Sequence, residues 1–251
     1  IGFDYYVKIN FGISLKYFDS QLGGKVTNDK LTSFSIDGTM LDYGALITLP
    51  IYELITKDKQ YQLENTLAIK PITNFSIGYA TANIGDEVEY VDESKKDPLS
   101  RTARLGYTFE LGFDLKLNKA KINFVNYSFT AEAQDILIKP NDQTNSGIEY
   151  QSGLGDIDIS NNLIKLKEDN KVIVHRGHIF KFFDTLILTS GRFAGRGYNS
   201  SRVTDGIGFT SKGLFNLMNA LSDNNIIQFI TKHFVIEYFD ANVEFFTNTP
   251  T

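Results

Sequence analysis

The sequence predicts an all-β, antiparallel protein built from long two-faced strands, and three observations carry that expectation. The stretch "RTARLGYTFELGFDLKLN" (101–118) places Ala103, Leu105, Tyr107, Phe109, Leu111, Phe113, Leu115 and Leu117 at successive odd positions. Between them lie Arg104, Gly106, Thr108, Glu110, Gly112, Asp114 and Lys116, so a strand here has one apolar face and one charged face. The same period of two recurs along the chain, against an ordinary strand length of about 5–6 residues. Finally, no run of 18 apolar residues occurs and mean hydropathy is −0.17, which excludes a helical membrane span but not a barrel, whose alternating strands keep mean hydropathy ordinary.

In chain order, "NFGISLKYF" (10–18) aligns Phe11, Ile13, Leu15 and Tyr17 on one face, with Gly12, Ser14 and Lys16 opposite. "LDYGALITLP" (41–50) aligns Leu41, Tyr43, Ala45, Ile47 and Leu49, and "NFSIGYATANIG" (74–85) aligns Phe75, Ile77 and Tyr79. After 101–118 comes "VNYSFTAEA" (125–133). Its apolar parity is broken by Ile122 and Phe124, which predicts a bulge. "KVIVHRGHIFKFF" (171–183), "DTLILTSGRF" (184–193), "RVTDGIGFTSKGLF" (202–215) and "KHFVIEYF" (232–239) bring the count to about nine strands.

The connections predict two unlike ends. Asn118–Lys119 and Phe183–Asp184 read as tight turns on one end, while 19–33, 85–101, 139–170 and 195–201 read as long polar loops on the other. Residues 50–65 and 218–230 fall on the short-turn end without being short, and the apolar spacing of 218–230 predicts a small helix at that rim.

Chemistry is sparse. The 251 residues include no cysteine, so disulfides and thiolate metal sites are excluded, and a net charge of −5 argues against a nucleic-acid partner. His175 and His178, three apart on a strand, point to opposite faces and do not converge on a metal. The acidic run Asp86, Glu87, Glu89, Asp92, Glu93 and Asp97 lacks the spacing of an EF-hand and reads as a solvated loop. "GRFAGRG" and "GIGFTSKG" match no phosphate-binding fingerprint, no G-x-S-x-G elbow is present, and Asp156 and Asp158 lie in a loop. No enzyme, metal or cofactor is expected.

Residues 83–109, "NIGDEVEYVDESKKDPLSRTARLGYTF", carry a more specific signal. Asn83, Ile84, Gly85, Tyr90, Asp92, Asp97, Pro98, Leu99, Arg101 and Gly106 resemble a pattern of the PorV/PorQ-like outer-membrane proteins, relatives of the FadL long-chain fatty-acid channels. Ser100 stands where that family often has a second proline. "FGISLKYFDSQLG" (11–23), "DYGALITLP" (42–50) and "VHRGHIFKFFDTLILTSGRF" (174–193) resemble further segments of the same family. The resemblance implies a FadL-like antiparallel transmembrane β-barrel of 14 strands in the bacterial outer membrane. On that expectation residues 1–251 are a single incomplete barrel domain, lacking an N-terminal plug, the first strands and a last strand.

With the odd face against outer-membrane lipid, Arg104, Glu110, Asp114 and Lys116 face a wet lumen. The resemblance further implies a role in type IX protein secretion, with a translocon protein and the C-terminal domains of secreted cargo as partners. The loop residues Tyr90, Asp92, Glu93, Asp97, Pro98 and Arg101 are then candidates for partner binding. Two other readings stay open: a FadL-like transporter of hydrophobic small molecules, and a soluble β-sandwich that binds a partner, since alternation alone also describes a sandwich strand.

Overall fold

A computed structural model describes residues 2–4, 7–27, 30–57, 59–85, 87–89, 96–97, 99–117, 120–143, 147–222 and 224–245. The side chains of 2–4, 21–35, 89, 96–97, 199–200 and 244–245 lie outside that description. In chain order the strands are β1 (Gly2–Asp4), β2 (Lys8–Thr27), β3 (Lys30–Pro50), β4 (Tyr61–Glu64), β5 (Leu67–Ile84), β6 (Val88–Glu89) and β7 (Lys96–Asp97). There follow β8 (Thr102–Leu117), β9 (Ala120–Ile136), β10 (Ile138–Pro140), β11 (Ile148–Tyr150), β12 (Val172–Phe182), β13 (Leu186–Gly195), β14 (Tyr198–Thr210) and β15 (Glu237–Phe245). Three α-helices, α1 (Ile51–Thr56), α2 (Lys212–Leu221) and α3 (Asn225–His233), and one π-helical turn at Ile159–Ile164 complete the set.

The fold is all-β. One antiparallel sheet runs β1-β2-β3-β5-β8-β9-β12-β13-β14-β15 in sequence order, and β4 takes over from β3 beside the lower part of β5. Each long strand pairs with the next long strand in the chain, so the sheet is a meander. It is open, with β1 and β2 at one edge and β15 at the other. Its nine long strands are the nine that alternation predicts. From β2 to β9 they contain 16 to 21 residues, about 53–70 Å at about 3.3 Å per residue.

The predicted bulge is present: Phe113 pairs with Val125 but Asp114 pairs with Asn123, which leaves Phe124 as the extra residue. Phe183 and Asp184 both take left-handed conformations (φ 54° and 49°) in the tight β12–β13 turn. The Asn118–Lys119 turn lies outside the described residues.

Two loop expectations are corrected. Residues 19–27 and 30–33 are ladder, not loop: β2 and β3 stay paired from Ser20↔Ile36 out to Thr27↔Lys30. Backbone pairing does not require apolar alternation, so polar composition hid this extension. Residues 195–201 are a hairpin closed by the two-residue turn Arg196–Gly197, with Gly195 and Gly197 at φ 122° and 80°. The two ends are therefore less unlike than predicted. The upper end carries the long connections β5–β8 and β9–β12, and the lower end carries α1 with β4 and the α2–α3 excursion. Residues 202–215 and 232–239 are likewise part strand and part helix, since β14 stops at Thr210 and β15 starts at Glu237.

Candidate functional site

The register sorts side chains into two faces. Pairings carry Gly12 to Gly44, Gly78 to Gly106, and Gly177 to Gly191. Gly38, Gly112, Gly206 and Gly208 fall on the same face, hereafter the glycine face. A Cβ at Gly44, Gly106 or Gly112 would sit 2.9, 2.8 or 2.5 Å from a carbonyl oxygen of the adjoining strand. The strands approach closely at these three positions, while a Cβ at Gly12 would meet nothing within 4 Å. The opposite, aromatic face carries Phe11, Ile13, Leu15 and Tyr17 of β2 at 59–77% exposure. Rings continue across it through the pairs Phe75–Tyr107 and Tyr107–Phe129, both with centroids 6.1 Å apart.

Arg104, Glu110, Asp114 and Lys116 all fall on the glycine face. Arg104 lies 3.8 Å from Glu132. The Glu110 carboxylate accepts hydrogen bonds from Asn74 Nδ2 and Asn126 Nδ2, each 2.7 Å. Asp114 is buried, with Lys121 Nζ at 2.7 Å and Asn123 Nδ2 at 3.2 Å. Lys116 is exposed. Above the glycines, Arg104, Glu132, Thr108, Thr130 and Ser76 border an open groove of 570 Å³. Thr108 and Thr130 share a 2.9 Å hydrogen bond across β8 and β9. The groove thus offers hydroxyls and one loosely paired ion pair, with Asn10, Leu46 and Ala80 beside the glycines.

The upper rim holds a cluster that sequence reasoning did not assemble. Asn83 takes a left-handed conformation (φ 58°) where β5 slips register against β3, which turns its amide toward the glycine face. Asp42 accepts the Asn83 backbone N–H at 2.8 Å and pairs with Lys16 Nζ at 2.9 Å. Lys16 donates to Asn83 Oδ1 at 2.5 Å, and Asn83 Nδ2 donates to the Ser100 carbonyl at 2.9 Å. The signal was available: Lys16, Asp42 and Asn83 come one each from three of the segments that carry the family resemblance. Their order in the chain says nothing of their meeting, which only the strand pairing brings about.

That cluster anchors the base of the predicted partner-binding loop. Arg101 donates to the Gly85 carbonyl at 3.2 Å and stacks over the Tyr150 ring at 4.0 Å. Of the other loop residues, Tyr90, Asp92, Glu93 and Pro98 lie outside the described residues, as does the Asp97 side chain. The Asp97 backbone pairs with Val88 in the small β6–β7 ladder.

The connection after β11 folds back over the aromatic face. Ile157 and Leu163 bury against Ala133, Val172 and Val174, with Leu105, Tyr107 and Leu154 beside them. Tyr79 and Tyr107 donate from their hydroxyls to the Gly153 and Leu163 carbonyls at 2.9 and 3.4 Å. Asp158 caps the π-helical turn by accepting the Asn161 N–H at 3.0 Å, and the bonds from Asn161 hold its carboxyl below the usual range. Burial pushes the Asp156 carboxyl up, but Lys139 and Lys171 at 3.2 and 3.7 Å outweigh that and leave it lowered. These two aspartates are therefore structural partners of a lid.

His175 stacks on Phe193 on the glycine face, while His178 bonds the Tyr127 hydroxyl at 2.8 Å on the aromatic face. They diverge, and among the described residues no three His, Cys, Asp or Glu side chains gather as metal ligands. The main sheet is a single layer among the described residues, and of the two small two-stranded ladders β6–β7 touches β3. In comparisons with known proteins, no family model matches the chain and no curated protein matches it.

Proposed function

We propose that this chain is the wall of a transmembrane β-barrel in the bacterial outer membrane, of the PorV type. In this reading it serves type IX protein secretion by binding cargo and translocon at its upper rim and handing cargo on for surface attachment. One observation supports the reading most: strands of 16–21 residues expose aromatic and aliphatic side chains on one face while charges, amides and glycines occupy the other. A barrel strand needs about 9–11 residues to cross a bilayer, so these strands cross and still project beyond it. A sheet in lipid also has to satisfy its edges, which further strands of a closed barrel would do.

The Lys16–Asp42–Asn83 cluster supports the partner role by fixing the root of the 85–101 loop to three strands. The test is extraction of the full-length tagged protein from its native outer membrane in mild detergent, with mass spectrometry of what accompanies it. A large translocon protein, or secreted proteins sharing a C-terminal domain, is the expected result. A lone barrel carrying fatty acid in the glycine-face groove would replace secretion by transport of hydrophobic molecules. Protein found only in the soluble fraction would overturn the barrel and return the reading to a partner-binding β domain.

A further inference from the structure

The excursion between β14 and β15 lies along the lower rim. Its two ends are locked together, with Ser211 N donating to the Ile236 carbonyl and Ile236 N donating to Ser211 Oγ, both at 2.9 Å. From there α2 passes beneath the β12–β13 turn, where Gly213 N donates to the Asp184 carbonyl at 3.1 Å. A Cβ at Gly213 would run into the Phe183 carbonyl, so this close crossing requires glycine. The helix then packs against β9, and α3 packs against it on the way back to β15. Three strand spacings, from β14 through β13 and β12 to β9, span about 14 Å. The 10 residues of α2 measure about 15 Å. The helix therefore runs across the strands, along the rim, rather than parallel to them.

Both helices leave an apolar stripe uncovered. On α2, Leu214, Met218 and Leu221 (i, i+4, i+7) are 46, 45 and 68% exposed. On α3, Ile226, Phe229 and Ile230 (i, i+3, i+4) are 68, 58 and 40% exposed. Six large apolar side chains in one short excursion exceed the scattered exposure of an ordinary surface. Lys212 opens α2 and Lys232 stands in the last turn of α3, so a cation flanks each stripe. A further strand added to the sheet would pair with the free backbone edge of β15 and leave these stripes bare.

We propose that α2 and α3 form an interfacial anchor, lying in the plane of the membrane at its lower surface with their apolar stripes in the headgroup–acyl boundary. The inference rests on the barrel reading above. Orientation, stripe and flanking cations are together the pattern of helices that bury one face about 5–10 Å into that boundary. The anchor would fix the depth at which the shorter strands β12 to β15 sit, because it hangs from their lower turns.

The absence of cysteine from the sequence makes a clean test available. Full-length protein carrying Phe229→Cys or Leu221→Cys, labelled with an environment-sensitive fluorophore, is reconstituted into phosphatidylethanolamine–phosphatidylglycerol vesicles. The lipids are brominated at either a shallow or a deep acyl position, and Ile13→Cys on β2 reports the wall itself. The expected result is loss of fluorescence at 229 and 221 with shallow bromines, little loss with deep ones, and quenching at position 13. Quenching at 13 without quenching at 229 and 221 would overturn the anchor and leave the barrel standing, with a protein segment or water on the helices. Strong quenching at 229 by deep bromines alone would overturn the interfacial placement, and no quenching at any position would overturn the barrel reading itself.

Discussion

Between β2 and β9 the two faces of the sheet are sorted by chemistry, and between β12 and β15 they are not. Along one row of the aromatic face the register reads Phe75, Phe109, Phe129, and then His178, Ser190, Asp205, Asn242. Opposite that second half, the glycine face reads Ile179, Thr189, Gly206 and Ala241. Strand length changes at the same place, from 16–21 residues to 9–13. The long strands sustain their alternation over most of their length. On the short strands the apolar side chains of the aromatic face stand toward the two ends, Phe180, Phe182, Leu186, Leu188, Ile207 and Phe209 below and Val172 and Val174 under the 151–165 segment above.

The largest effect is expected from reversing the two halves. In the proposed barrel, Leu111→Arg puts a cation into the sorted aromatic face and should destabilise the protein in lipid vesicles by about 2–4 kcal/mol. Arg176→Leu, on the same face of the unsorted half, should stay within about 0.5 kcal/mol. Equal effects in denaturant titrations would show that the halves do not differ in their surroundings.

A smaller contrast lies on the glycine face. Gly112→Ala brings a Cβ to 2.5 Å from the Val125 carbonyl and should cost about 1–3 kcal/mol. At Gly177 the nearest atom would be the Ser190 carbonyl oxygen at 3.6 Å, so Gly177→Ala should be close to neutral. A tolerated alanine at 112 would mean that β8 and β9 can separate there without loss.

Asp42→Ala removes the acceptor shared by Lys16 and the Asn83 backbone, with an expected loss of about 1–3 kcal/mol. Limited proteolysis of 85–101 should speed up in parallel. Unchanged cleavage would separate the cluster from the loop it roots.

The smallest effect concerns the lid. The Asp156 and Asp158 carboxyls are held below their ordinary values, and an unfolded aspartate titrates near pH 3.9. Their contribution is therefore fully present above about pH 4 and is lost as pH falls through the lowered folded values. Protection factors across 151–170, taken relative to the intrinsic exchange rate at each pH, should fall on acidification while those in β8 and β9 do not. An equal fall in both would mean that the lid opens only with the sheet.

Much of this architecture is legible in residue order, and the limits of what is legible have physical causes. The nine long strands, the bulge at Phe124, the tight turn at Phe183–Asp184 and the helix at the lower rim each leave a local mark, while the left-handed backbone of that turn and the break that divides 218–230 between α2 and α3 leave none. The shared face of Arg104, Glu110, Asp114 and Lys116 follows from the same period. The extent of the β2–β3 hairpin left none, because ladder hydrogen bonds join backbones whatever the side chains are.

What the sequence by itself determined is therefore the nine long strands and, within each alternating stretch, the face each side chain takes, since both depend on neighbours one or two residues away. Tertiary structure alone decided that Lys16, Asp42 and Asn83 meet, that the 151–165 segment covers part of the aromatic face, and that the glycines of separate strands share one face. Those outcomes depend on which strands pair and at what register, and that choice is made by the whole sheet at once.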